Sequence, residues 1–116
     1  MKNFLSLIFL TLSFLTYSQN VAPTVADATA TITEGATGQS INVTVSDDDS
    51  GDTWTLSVVS APSVGTVTVN GNLSFTYNHD GSEGNEVTFT YRATDDKNNE
   101  SSIATVTITV TGVNDM

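Results

Sequence analysis

The chain has 116 residues, thirteen acidic against three basic, no cysteine and a formal net charge of −10. Such a field repels polyanions such as nucleic acid and attracts cations. Without thiols, a small domain must be held by its core, by metal ions or by neighbours rather than by disulfides.

The first eighteen residues stand apart. Lys2 precedes an apolar run over 4–15, and Thr16 and Ser18 put small residues where a signal peptidase reads. This is the pattern of a secretory signal peptide, and the run is shorter than the roughly twenty apolar residues of a membrane span. The expected organisation is a cleaved leader, 1–18, followed by one exported domain, 19–116. No transmembrane segment is expected once the leader is gone.

From residue 29 onward the apolar pattern has period two, which marks strands with one buried face. The expected strands, lettered A to G, are 29–33, 40–45, 53–59, 65–69, 72–77, 86–94 and 104–110. In strand B, Ile41, Val43 and Val45 face inward. In C the inward residues are Trp54, Leu56 and Val58, and in D they are Val67 and Val69. Leu73, Phe75 and Tyr77 line E, Val87, Phe89, Tyr91 and Ala93 line F, and Ala104, Val106, Ile108 and Val110 line G. Threonines fill the alternate positions of F and G, where β-branched polar side chains suit a wet pleated face. Asn70-Gly71 between D and E predicts a two-residue type I′ hairpin turn. Seven short strands with regular turn signals predict an all-β, antiparallel Greek-key sandwich of the immunoglobulin or cadherin kind.

The acids fall in the connections: Glu34 after A; Asp47, Asp48, Asp49 and Asp52 after B; Asp80, Glu83 and Glu86 after E; Asp95, Asp96 and Glu100 after F; Asp115 after G. Successive connections of such a sandwich alternate between its ends. Asp47–Asp52 and Asp95–Glu100 therefore share an upper pole with Asn20, while Glu34, Asp80, Glu83 and Asp115 share a lower one. Gathered carboxylates repel, and a hard divalent cation with oxygen ligands relieves them, which suits calcium. The competing reading is that Asp, Asn and Gly fill these loops for turn geometry and solubility.

Several segments carry a family resemblance. Asn20-Val21-Ala22-Pro23 resembles a leading linker, Glu34-Gly35 a first turn and Asp47-Asp48-Asp49 a DxD loop. Gly65-Thr66-Val67 and Phe75-Thr76-Tyr77 match the middle of a repeat, and the run from Phe89 to Asp95 resembles its sixth strand. Val113-Asn114-Asp115 resembles a trailing linker. Together they are similar to a bacterial cadherin-like repeat, over about residues 20–115. The resemblance implies calcium between successive repeats. Asn20, Asp47, Asp49 and Asp95 would serve the upper site; Glu34, Asn114, Asp115 and an acid of the E–F loop would serve the lower. A single repeat offers only half of each site, so the expected affinity is weak, roughly 10⁻⁴–10⁻³ M or poorer.

Other chemistries fit worse. An EF-hand counted from Asp47 places Val58 where a bidentate acid is needed. One histidine and no cysteine give zinc or copper no ligand set. His79, Asp80 and Ser82 can be drawn as a catalytic constellation, but three residues in one loop have no shell to hold them, and a solvated loop histidine is expected. The expected protein is a non-enzymatic structural and adhesive module at a cell surface, whose partners are neighbouring repeats or surface proteins. A carbohydrate-binding module, with glycan partners, is the alternative and would require Trp54 to be exposed. The linker-like ending also fits the first repeat of a longer surface protein.

Overall fold

The computed structural model describes residues 20–49 and 51–113. The expected leader, Asn114 and Asp115 lie outside the described residues. Among the described residues the chain forms nine strand segments: β1 Thr24–Val25, β2 Ala28–Thr33, β3 Gln39–Asn42, β4 Val45–Ser46, β5 Trp54–Ser60, β6 Thr66–Val69, β7 Ser74–Asn78, β8 Glu86–Asp95 and β9 Ala104–Thr111. One sheet has the order β2-β9-β8-β5 and the facing one β3-β7-β6, with β1 and β4 paired separately. The architecture is the expected sandwich, with two corrections.

Nine segments replace seven strands because a short segment, β1, precedes the first expected strand and the second is interrupted at Val43-Thr44. β1 pairs with β4, whereas β2 pairs with β9. The crossing between sheets falls at Ala26-Asp27. There the Tyr91 hydroxyl donates to the Ala26 carbonyl at 2.6 Å, and the Thr105 N–H donates to Asp27 Oδ1 at 2.9 Å. These two bonds satisfy backbone groups that the change of sheet leaves without a ladder partner. The second correction is that β2 runs parallel to β9, Ala28 opposite Val106 through Thr33 opposite Thr111. The remaining pairings are antiparallel.

The core follows the period-two pattern. Phe75, Tyr77, Phe89, Tyr91, Ala93, Val106 and Ile108 are buried almost completely. Phe75 meets Phe89 and Tyr91 edge to face, at centroid distances of 5.2 and 5.3 Å, the arrangement that ring quadrupoles favour. Trp54 is half-buried against the core, and its Nε1–H donates to the Asn72 carbonyl at 2.8 Å.

The Asn70-Gly71 hairpin forms, though not as a two-residue turn. β6 ends at Val69 and β7 begins at Ser74. Asn70 N–H donates to Ser74 O at 2.9 Å, leaving Gly71, Asn72 and Leu73 as the loop, with Gly71 at φ +82°. Leu73, expected inside, is 47% exposed. The loop is opened by bonds from elsewhere: its Asn72 carbonyl serves Trp54, and its Leu73 carbonyl accepts from Val43 N–H at 3.0 Å.

Candidate functional site

Strand alternation brings the leading segment, the β4–β5 loop and the β8–β9 loop to one end of the sandwich. In the β4–β5 loop, Asp47 Oδ1 accepts the Asp49 N–H at 2.9 Å, and Asp49 O accepts the Asp52 N–H at 3.2 Å. These local bonds turn the loop back on itself. One oxygen from each of Asp47, Asp49 and Asp52 then lies within 4.8 Å of the others, a cluster found among the described residues. Two carboxylates about 4 Å apart repel by roughly 1 kcal/mol in bulk water, and by about four times that at the effective dielectric of a protein surface.

The leading segment is stitched to this loop. Asn20 Nδ2 donates to Asp52 Oδ2 at 2.6 Å, and the Val21 N–H donates to Asp49 Oδ2 at 2.6 Å. Asn20 Oδ1 accepts from Asn99 Nδ2 of the β8–β9 loop, so one amide ties three chain segments together. A basic group joins these contacts: Lys97 Nζ lies 3.1 Å from Asp52 Oδ1 and 3.3 Å from Asp96.

One observation tests whether these residues fit a cation. Asp47 Oδ2 is buried and has no hydrogen-bond partner among the described residues. A carboxylate oxygen withdrawn from solvent without a donor is costly. Asp47 also offers an oxygen to the cluster with Asp49 and Asp52, an all-oxygen donor set of the kind hard cations take. The residues fit calcium.

The other expected ligands are placed differently. Asp95 is buried and its carboxylate closes the β8–β9 turn. Its Oδ1 accepts the N–H groups of Lys97 and Asn99 at 2.9 and 2.8 Å, and its Oδ2 accepts Asn99 Nδ2 at 3.2 Å. Asp52, which loop position alone did not single out, stands in the acidic cluster. At the opposite end Glu34 has a buried Oε2 without a hydrogen-bond partner among the described residues, but it joins no cluster of three or more potential metal ligands there. Asp80 spends Oδ1 on the N–H and hydroxyl of Ser82.

Burial works to raise the Asp95 carboxyl, but the Asn99 and Lys97 donors outweigh it and hold the group below the ordinary carboxylate value. The Asn20 amide, and then the Lys97 ammonium, lower Asp52 likewise. Groups lowered in this way contribute stability above their unfolded pKa and lose it as pH falls through the folded value. In calcium-free buffer the melting temperature is therefore expected to hold between about pH 7 and 5 and to fall below about pH 4. A flat profile down to pH 2.5 would mean these bonds hold nothing.

His79 was expected in solvent and is instead 5% exposed. Its Nδ1 accepts two backbone N–H groups, from Gly35 at 2.9 Å and from Gly81 at 3.0 Å, which places the ring proton on Nε2. The imidazole thus joins the β2–β3 turn to the β7–β8 loop, and Ser82 bonds Asp80 rather than His79. This geometry organises loops and does not activate a hydroxyl. His79→Ala leaves both donors without an acceptor and is expected to cost roughly 1–3 kcal/mol, read from urea denaturation. Glycine's prevalence in turns hid this role; a histidine two residues before a glycine was the available signal.

The chain matches the model of the bacterial cadherin-like domain over residues 20–112. Among solved structures it is similar to titin kinase and its flanking domains, at 13% identity and a TM-score of 0.40, covering 82% of this chain and 17% of that one. It is also similar to the M1 domain from titin, at 11% identity and a TM-score of 0.35, covering 82% of this chain and 95% of that one. The comparison with curated proteins returned no match.

Proposed function

The chain belongs to the bacterial cadherin-like domain family, and from that premise we propose that it is an exported, non-catalytic structural and adhesive module stiffened by calcium at its upper pole. The observations that carry this reading are the meeting of Asp47, Asp49 and Asp52 and a buried Asp47 oxygen without a partner among the described residues, directly against the leading segment at Asn20 and Val21. Asp47, Asp49 and Asp52 would hold the cation. Bound there, it supplies positive charge that offsets their repulsion and fixes the loop against the segment leading into the domain.

The mechanical consequence follows from the topology. Asp49 and Asp52 bond the chain just before β1, so a stiffer loop holds the leading segment at Asn20 and Val21 more firmly against the domain. Neighbouring repeats or surface proteins are the partners this reading assigns, outside the cell, where modules of this affinity class work at roughly 10⁻⁴–10⁻³ M calcium. Trp54, which a sugar platform would present to solvent, is packed against the core and bonded to Asn72, so the carbohydrate-binding alternative gains no support.

Calorimetric calcium titration checks the assignment. Asp49→Asn and Asp52→Asn are each expected to weaken binding by about tenfold or more, because each removes a charged oxygen ligand. Glu83→Gln, in the exposed loop at the other end, is expected to leave it unchanged. Equal affinities for all four proteins would place any bound ion elsewhere.

A further inference from the structure

The upper pole carries its own cation. Lys97 Nζ sits 3.1 Å from Asp52 Oδ1 and 3.3 Å from both oxygens of Asp96. The Asp52 side chain is 6% exposed, whereas that of Lys97 is 52% exposed. The ammonium therefore reaches in from solvent to a carboxylate that is itself enclosed. That carboxylate belongs to the cluster with Asp47 and Asp49, and its second oxygen is held by Asn20. Metal and lysine thus draw on the same group.

The lysine is presented by a rigid turn. Asp95 Oδ1 accepts the Lys97 N–H, Asn98 N–H donates to Asp95 O at 3.0 Å, and Asn98 takes a left-handed conformation at φ 70°, which asparagine tolerates better than most residues. A buried carboxylate thereby fixes the backbone from which the ammonium extends.

We propose that Lys97 acts as a built-in counter-ion of the upper pole, competing with calcium for Asp52 and so raising the calcium concentration at which the pole fills. The proposal rests on the reading of the pole as a calcium site. Without the metal, the ammonium offsets part of the carboxylate repulsion and steadies the loop. With the metal present, one unit of positive charge must move away or be tolerated beside a divalent ion. Lys97 then has opposite effects on two quantities: it favours the metal-free fold and disfavours the metal.

That opposition is the test. The protein, Lys97→Met and Lys97→Arg are titrated with calcium by calorimetry and melted in excess chelator. Lys97→Met is expected to bind calcium roughly three- to tenfold more tightly, the effect of removing one cation near the site in a partly screened medium. It is also expected to melt lower than the parent in chelator, with the gap shrinking as sodium chloride is raised. Lys97→Arg should keep the parent's behaviour in both assays. Arg92→Gln removes the same charge from a residue paired with Glu100 instead, and should shift calcium affinity by less than twofold.

A lysine with only a structural role would lower the melting point without tightening calcium binding. Calcium affinity that is unchanged or weaker in Lys97→Met, in a parent that does bind, overturns the competition and leaves the calcium reading standing. Tightening by Arg92→Gln equal to that by Lys97→Met overturns it in favour of a general charge effect. If the parent and Lys97→Met both bind no calcium, the reading of the pole fails and the competition falls with it.

Discussion

Gly65→Ala is expected to lower stability by about 3 kcal/mol or more, from two costs at one position. Gly65 has φ +79°, where an L side chain is strained by roughly 1–2 kcal/mol. A Cβ there would also overlap the Asn78 carbonyl oxygen and come within 2.6 Å of the Tyr77 hydroxyl oxygen. Neither neighbour can retreat cheaply. Asn78 O belongs to the ladder partner of Thr66, and the Tyr77 ring is fully buried with its hydroxyl donating to Val64 O at 2.5 Å. Overpacking of this kind adds roughly 1–3 kcal/mol. Gly71→Ala isolates the first cost, since φ is +82° but nothing lies within 4 Å of the added carbon. Urea denaturation of the two variants should separate them by about 2 kcal/mol; equal losses would mean that strand β7 yields to the new methyl.

Phe75→Ala is expected to cost about 3–5 kcal/mol, the range for a large aromatic removed from a core that collapses only in part. Phe75 is fully buried and lies edge-on to both Phe89 and Tyr91, so its loss leaves two rings without a packing partner. It stands on β7, between β3 and β6, while its partners stand on β8 of the opposite sheet. The ring is therefore a contact between the layers as well as within one. With total stabilities of about 5–15 kcal/mol for such domains and no disulfide to assist, this change should leave a substantial unfolded fraction at 37 °C. Phe75→Leu should recover more than half of the loss. An alanine variant with the parent's denaturation midpoint would show that the layers are held elsewhere.

Much of the sandwich was legible in the sequence because period-two patterning reports burial directly. The alternation of Val87, Phe89, Tyr91 and Ala93, and of Ala104, Val106, Ile108 and Val110, became the two longest strands with every one of these side chains inside. The turn at Ala26-Asp27 that sets β1 apart from the first expected strand was not legible. It depends on Tyr91 reaching Ala26 O across 65 residues of chain, and on Asp27 capturing a β9 N–H, and neither leaves a periodic trace. Leu73 misled for a related reason: its apolar side chain fits the alternation, but bonds to the loop carbonyls set its backbone outside the ladder.

At the pole, alternation of connections correctly brought Asn20, Asp47, Asp49, Asp95 and the β8–β9 loop to one end. It could not say which oxygens remain available, because that turns on donors close by in the chain. Asp95 meets the N–H groups of Lys97 and Asn99 within its own turn, which commits its carboxylate. Asp52 meets side chains from two other segments and remains part of the cluster. For His79, loop placement predicted solvent, whereas two turn N–H groups drew the ring inward.

The most direct test of the central claim is a pair of thermal melts of the purified protein, in excess chelator and in about 5 mM calcium, with magnesium as control. Binding in the 10⁻⁴–10⁻³ M class predicts a calcium-specific rise of roughly 4–15 °C for a domain of this size, with little change in magnesium. Superimposed melts in all three conditions would contradict the claim and leave Asp47, Asp49 and Asp52 as turn-forming residues alone.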